Sequence, residues 1–191
     1  MQYKKKDIND RILEAGRDEY FAKGFRAGNI SAIAANSGVP VGNLYRYFDG
    51  KSGLLDAIVK PAYNEIPKLV ENLATYDTTP DLEEYMPKLI KELLDAFDRY
   101  GKEIIILCDK CATTRYEDFS EKLVASVTRV VLNKISADPN DSDRLMSELI
   151  STAFIHSLLD LLRKGFDRAT MERIIEKLLV FYFRDFNDRL R

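Results

Sequence analysis

Residues 29–51, Asn-Ile-Ser-Ala-Ile-Ala-Ala-Asn-Ser-Gly-Val-Pro-Val-Gly-Asn-Leu-Tyr-Arg-Tyr-Phe-Asp-Gly-Lys, decide the fold of the amino-terminal part of this chain. Apolar residues recur there at helical spacing in two short segments. Asn29 is a favourable N-cap for the first segment. Gly38 lies between them and takes the positive φ of a sharp reversal without steric cost. The stretch therefore predicts a helix-turn-helix, in which the second helix enters a DNA major groove.

The composition is that of a globular protein. Of the 191 residues, 46% are apolar and 31% are charged, which argues against disorder. No stretch approaches the ~20 uncharged apolar residues of a membrane span. The basic amino terminus is not followed by an apolar run, so it is not a secretory signal. We expect a cytoplasmic protein with no membrane partner.

Charge is unevenly distributed along the chain. Residues 1–51 contain nine Lys or Arg and six Asp or Glu, whereas the remainder contains twenty and twenty-five. The formal net charge of −2 therefore hides a basic amino-terminal segment and an acidic remainder. This asymmetry favours an approach to phosphate by the amino-terminal segment, although a solvated surface would produce the same pattern.

Helical periodicity extends over nearly the whole sequence and predicts an all-α fold. We expect a domain boundary close to Lys51, giving a helix-turn-helix domain over 1–51 and a second domain over 52–191. The expected segments are 6–23 ending at Gly24; 30–36 and 40–47; a helix from Lys51, interrupted or kinked at Pro61 and Pro67, to about Ala74; a helix starting at 78–81; a buried helix over 104–107; 116–135; a loop at 138–141; 142–164 ending at Gly165; and 170–189 with Thr170 as its N-cap.

Residues 12–55 also carry the spacing of a known family: Ile12-Leu13-Glu14-Ala15, Tyr20, Gly24-Phe25, Ile30, Ile33-Ala34, Gly38-Val39, Gly42-Asn43-Leu44-Tyr45-Arg46-Tyr47-Phe48, Lys51 and Leu54-Leu55. On these residues the chain resembles the DNA-binding domain of bacterial TetR-type (tetracycline-repressor-like) transcriptional regulators. The resemblance implies a three-helix helix-turn-helix domain, followed by a helical bundle that binds a ligand and dimerises.

By position, the resemblance also implies the residues that contact DNA. Leu44 and Phe48 are assigned to the core. Val41 and Pro40 depart from the usual pattern because neither side chain donates a hydrogen bond, so base readout depends on Asn43, Tyr45 and Arg46, with Val41 near a thymine methyl. The tyrosines as core residues and Arg46 as a solvated charge are the alternatives. The implied DNA-binding residues are Asn29, Ser31, Pro40, Val41, Gly42, Asn43, Tyr45, Arg46, Tyr47 and Lys51.

The two closing helices carry apolar residues on two sides, which favours burial on two sides. The prediction is a four-helix interface with a second copy of the chain, and a thick monomeric core is the alternative. The expected interface residues are Met146, Leu149, Ile150, Ala153, Ser157, Leu161, Ile174, Ile175, Leu178 and Tyr182.

Aromatic and soft residues on the middle helices suggest a pocket for a small apolar or aromatic effector, although the same residues would make an ordinary core. These residues are Tyr63, Phe97, Tyr100, Leu107, Cys108, Cys111, Tyr116, Phe119 and Phe154.

Cys108 and Cys111 form a Cys-x-x-Cys pair, but a zinc site needs four ligands, and the chain has two cysteines and one histidine. We therefore interpret both as small apolar side chains, with a thiol sensor as the alternative. His156 is expected to be buried and paired with Asp160. With no catalytic motif present, we expect no enzyme, no cofactor and no metal.

These observations and the resemblance together predict a homodimeric, DNA-binding transcriptional repressor. A small-molecule effector would release it from a pseudo-palindromic operator in double-stranded DNA. The alternative is an all-helical protein-interaction module, or an architectural DNA-binding module without an effector.

Overall fold

The computed structural model describes residues 2–74, 82–135 and 138–184, and its regular elements are helical throughout these ranges. A π-helical turn, Ile106–Lys110, directly continues the fifth α-helix. The all-α prediction is confirmed, and residues 104–107 are buried and helical as expected. The helices are α1 (Gln2–Ala27), α2 (Ile30–Ser37), α3 (Val41–Tyr47), α4 (Gly50–Ala74), α5 (Leu82–Ile105), α6 (Phe119–Ile135), α7 (Asp141–Lys164) and α8 (Arg168–Phe183).

The chain forms two compact units. The first unit contains the residues up to Asn64 together with Lys102–Ser120, and the second contains Glu65–Gly101 and the residues from Glu121 onward. The segment Lys102–Ser120 therefore packs with α1 to α3, although it lies far from them in sequence. The predicted division at residue 51 assigned this segment to the second domain.

Ion pairs attach this segment to α1 within the first unit. The buried carboxylate of Glu103 pairs with Arg17, and Lys102 Nζ lies 2.6 Å from an Asp18 carboxylate oxygen. A buried acid needs such a partner, because desolvation without one is costly. Gly24 breaks α1 with a φ of 75°, in the region that favours glycine, where the predicted helix end lies.

α4 is one continuous helix through Pro61 and Pro67, so the alternative of two successive helices is wrong and a kink at the prolines stays a prediction. Pro61 is exposed and Pro67 is half-buried, whereas α4 buries a regular apolar face. Burial of that face outweighs the two backbone hydrogen bonds that the prolines remove. The buried face consists of Leu54, Leu55, Ile58, Val59, Ala62, Ile66 and Val70.

In the second unit, residues from α5, α7 and α8 form one apolar core. α7 begins with a capping box between Asn140 and Asp143 and ends at Gly165, as predicted. The N-cap of α8 is Asp167 rather than Thr170, since the Asp167 carboxylate accepts the Thr170 N–H at 3.0 Å. The core contains Met86, Ile90, Leu93, Leu94, Phe154, Leu158, Leu161, Met171, Ile175 and Leu179.

Two further boundaries differ from expectation. α6 begins at Phe119 rather than at 116, because turns occupy the preceding residues. α8 ends at Phe183, where Arg184 has an extended backbone, rather than at 189. The predicted helix start at 78–81 lies outside the described residues.

One described helix, α7, is long and apolar enough to cross a membrane by length and composition. Several of its side chains are buried in the second unit, however, which is also the pattern of a core helix. The length and composition of α7 are thus weak evidence for a membrane span.

Candidate nucleic-acid interface

α3 has one buried side and one exposed side. Leu44 and Phe48 are buried, as expected for core residues. Val41 and Tyr45, one helical turn apart, are 37% and 57% exposed. Arg46 is also exposed, and the described part of the chain offers it no hydrogen bond or ion pair. The helix therefore presents a surface that nothing in the first unit covers.

The remaining predicted residues of α3 lie around this surface. Pro40 and Gly42 are exposed and Asn43 is half-buried. Tyr47 is half-buried, with its ring centroid 6.5 Å from that of Phe48. The sequence left open whether Tyr47 is a core residue or a DNA contact. In the structure it lies partly against the core and partly at the surface.

Asn29 caps α2 as predicted. Its side-chain oxygen accepts the backbone N–H groups of Ser31 and Ala32 at 2.7 and 3.4 Å. Ser31 is exposed beside it. At the other end of α2, Gly38 has a φ of 66°, and the Arg11 side chain donates to the Ser37 carbonyl at 3.2 Å. Both ends of α2 are therefore held by specific hydrogen bonds.

Glu19, which sequence analysis missed, fixes the start of α2. One of its carboxylate oxygens accepts the Asn29 N–H at 3.0 Å and the Lys23 ammonium at 2.9 Å. Glu19 is only 6% exposed. The sequence signal that could have identified Glu19 is its helical position. It lies four residues after Ala15 and therefore on the buried face of α1.

Lys51 holds together the ends of two helices. Its Nζ donates to the Arg26 carbonyl at 3.1 Å and lies 4.8 Å above the centre of the Phe25 ring. Desolvation lowers the pKa of this ammonium, while the Glu19 charge opposes that shift. An ammonium has three donors, so donors remain for the DNA contact that the resemblance implies.

Tyr20 connects α1 to the start of α4. Its hydroxyl donates to the Lys51 carbonyl at 3.1 Å, and burial raises the pKa of the phenol well above its usual value. Gly28 lies against the Tyr20 ring, where a Cβ would come within 2.8 Å of two ring carbons. α2 and the start of α4 are therefore both attached to α1.

Residues 12–58 match the family profile described as "Bacterial regulatory proteins, tetR family". Over this segment, about a quarter of the chain, the sequence is similar to the tetR family. The matched residues include α2, α3 and the first turns of α4, and so contain the exposed surface described above.

A curated relative resembles the chain over part of its length. The chain is 29% identical over 90 residues to the "Probable HTH-type transcriptional regulator YttP" of Bacillus subtilis (strain 168). These 90 residues are 47% of this chain and 44% of that relative. The chain thus spans less than half the length of this relative.

Solved structures of transcriptional regulators share the fold. A TetR-family transcriptional regulator from Bordetella parapertussis 12822 matches with a TM-score of 0.70 at 15% identity, covering 92% of this chain and 94% of that chain. NalD, described as the secondary repressor of the MexAB-OprM multidrug efflux pump in Pseudomonas aeruginosa, matches with a TM-score of 0.60 at 22% identity, covering 93% and 96%.

The nine residues of the predicted effector pocket are divided between the two units. Tyr63 contacts Tyr116 and Phe119, with ring centroids 5.0 and 5.5 Å apart, in the first unit. Leu107, Cys108 and Cys111 belong to the same unit, whereas Phe97, Tyr100 and Phe154 belong to the second. The effector pocket stays a prediction.

The cysteines and the histidine have different surroundings. Cys111 is buried, and burial raises the pKa of its thiol to about 11, so it stays protonated at neutral pH. His156 is exposed rather than buried, so the expected buried pair with Asp160 is wrong. The described residues contain no group of three or more His, Cys, Asp or Glu side chains placed to hold a metal ion.

The predicted dimer residues fall into three classes of exposure. Leu161 and Ile175 are buried within the core of their own unit, so they have no surface to offer a second copy. Met146, Leu149 and Ala153 are exposed, and Ile150, Ser157, Ile174, Leu178 and Tyr182 are half-buried. Leu145 and Phe181, outside the predicted set, are 58% and 67% exposed.

Proposed function

We propose that this tetR-type chain is a DNA-binding transcriptional repressor that acts as a homodimer in the cytoplasm. α3 would enter a major groove in each half of a pseudo-palindromic operator. A small apolar or aromatic effector would release the protein from that operator. The supporting observation is the exposed side of α3, formed by Val41, Tyr45 and Arg46 within the segment that matches the tetR profile.

Charge and local geometry support DNA as the partner. The net positive charge of residues 1–51 attracts phosphate, while the acidic remainder of the chain is repelled by it. The residues at the start of a recognition helix contact base edges in helix-turn-helix proteins. Arg46 has the planar fork of donors that bonds to guanine or phosphate.

The test is selection of bound duplexes from a randomised pool by the full chain, followed by affinity measurements at several salt concentrations. We expect a two-fold symmetric consensus, with half-site centres separated by about one or a few helical turns of ~34 Å. Affinity should fall steeply with salt, because phosphate contacts release counterions. Failure to enrich any duplex would refute the DNA-binding proposal.

Arg46→Ala and Arg129→Ala form a matched pair for this test. Arg46 lies on α3, whereas Arg129 is an exposed arginine on α6. We expect Arg46→Ala to lose at least about tenfold in affinity, from the ~1–3 kcal/mol of a base contact or the salt slope of a phosphate contact. Arg129→Ala should bind as the parent does. Equal affinities for the two variants would contradict the assignment of α3 as the reading helix.

The dimer is supported by exposed apolar side chains on α7 and α8. Leu145, Leu149 and Phe181 are each more than half exposed. A surface of this kind favours a protein partner, and a second copy related by two-fold symmetry matches a pseudo-palindromic operator.

Effector release has a separate test. Lipophilic compounds are screened for a rise in the melting temperature of the full chain, and each stabilising compound is then added to the duplex complex. We expect at least one compound both to stabilise the protein and to release the duplex, because an effector must bind one state more tightly than the other. Stabilisation without release would contradict the effector proposal and leave DNA binding intact.

A further inference from the structure

The exposed side of α3 contains apolar groups where a DNA-reading helix usually has donors. Among the described residues of the first unit, Val41 and Tyr45 are the exposed large apolar side chains. They lie four residues apart and so share one face of the helix. Val41 is also the first residue of α3, the position from which a recognition helix approaches base edges.

Gly42 leaves open space beside Val41. A Cβ built on Gly42 would meet no atom within 4 Å, so the fold of the chain does not require a glycine there. Glycine inside a helix is less favourable than alanine by roughly 1 kcal/mol. An unfavourable residue that packing does not demand is consistent with close approach by a partner at this point.

The chemistry of Val41 restricts what that partner presents. Valine has no hydrogen-bond donor or acceptor, and the apolar group that base edges show in the major groove is the 5-methyl group of thymine. A protein partner is less suitable, since two side chains are far smaller than the ~800 Å² that each side of a stable protein interface buries.

We propose that Val41 reads a thymine through its 5-methyl group, in the space that Gly42 leaves open, so that each operator half-site contains a T·A pair at this position. The inference rests on the DNA-binding function proposed above. It identifies one base pair of the operator by the chemistry of its edge. Asn43 and Arg46, on the same short helix, provide the hydrogen bonds to neighbouring groups.

The experiment removes the methyl group without changing base pairing. Each thymine of a selected duplex is replaced in turn by deoxyuridine, symmetrically in both half-sites, and affinity is measured by fluorescence anisotropy at one fixed salt concentration. For one thymine position we expect a loss of about fourfold per half-site, from the transfer free energy of one methyl-sized group. The other thymines should change affinity by less than about twofold.

Variants assign the methyl contact to Val41. In Val41→Ala, replacement of that thymine by deoxyuridine should change affinity by less than about twofold, because the contact is already lost. Val124→Ala lies on α6, outside the exposed side of α3. In this variant the replacement by deoxyuridine should still cause the full loss of duplex affinity. This inference would be overturned if the half-sites share a T·A pair but affinity does not depend on its methyl group. It would also be overturned if that dependence persists in Val41→Ala. Either result would leave the proposed function standing. Failure to select any duplex would overturn both.

Discussion

Glu19 shows how a single buried residue supports the helix-turn-helix without lying on its exposed surface. Its buried carboxylate accepts the Asn29 N–H, and Asn29 in turn caps α2. Burial of a carboxylate is costly unless hydrogen bonds replace its water, and here a backbone amide and the Lys23 ammonium do so. Loss of this acid therefore removes a support of α2 as well as a charge.

We predict that Glu19→Ala lowers the free energy of unfolding by about 2 kcal/mol, the typical contribution of hydrogen bonds to a charged group. Duplex affinity should also fall, because the start of α2 loses its attachment to α1. Urea unfolding measures the first effect and anisotropy the second. Glu14→Ala, an exposed acid on the same helix, is the control and should change stability by less than about 0.5 kcal/mol. Equal effects of the two variants would contradict this role of Glu19.

Alanine substitutions at Gly42 and Gly101 distinguish an effect on helix stability from an effect on DNA contact. Both lie inside helices with room for a methyl group, since a Cβ on Gly101 would meet only a Leu162 methyl carbon at an ordinary 3.5 Å. We predict that Gly42→Ala and Gly101→Ala each raise the free energy of unfolding by up to about 1 kcal/mol. Only Gly42→Ala should weaken binding to the selected duplex, by about tenfold or more. Unchanged affinity for Gly42→Ala would show that no partner approaches this position closely.

At the level of elements, α8 carries a pH dependence at its N-cap. The Thr170 side chain and backbone N–H donate to Asp167, which lowers the pKa of that carboxyl below its usual 3.8. Because the pKa of Asp167 is lower in the folded state than in the unfolded state, the carboxylate stabilises the fold at pH values above its unfolded-state pKa. This stabilisation is lost as the pH falls through the folded-state value.

We predict that Asp167→Asn has nearly the melting temperature of the parent at about pH 6, because asparagine caps helices equally well. On acidification to about pH 3 the parent should lose more stability than the variant, since only the parent has a carboxylate to protonate at this cap. Melting curves across this pH range measure the difference. Parallel loss in both proteins would indicate that the Asp167 charge does not contribute.

The helices show which features local sequence patterns can predict. The caps Asn29, Gly38 and Gly165 were predicted correctly because capping depends on residues adjacent to the helix end. The sequence left the continuity of α4 through Pro61 undecided because the burial that stabilises the helix is a tertiary effect. The placement of Lys102–Ser120 against α1 depends on contacts distant in sequence, which helical periodicity does not reveal. For the same reason Glu19 was not identified as part of the site.

At the scale of the whole molecule, the residues proposed to bind DNA and those proposed to form the dimer lie in separate parts of the sequence. The proposed reading surface lies on α3, and the exposed apolar residues of α7 and α8 belong to the second unit. The two sets share no residue. A substitution in one set therefore leaves the other set unchanged, and the two contributions can be tested separately. If a symmetric operator requires two reading helices, a monomer should lose most of its affinity even with an intact α3.

We predict that Leu149→Asp converts the protein to a monomer and weakens duplex binding by at least about a hundredfold, because avidity over two half-sites is lost. Leu149 is 55% exposed in the single chain, so the substitution should leave the fold of each subunit intact, with an unchanged circular dichroism spectrum. Light scattering coupled to size exclusion measures the mass. Ala125→Asp places the same charge on an exposed position of α6 and should remain dimeric with full affinity. A dimeric Leu149→Asp would show that the apolar surface of α7 does not hold the two copies together. A monomer that still binds the symmetric duplex tightly would contradict the requirement for two reading helices.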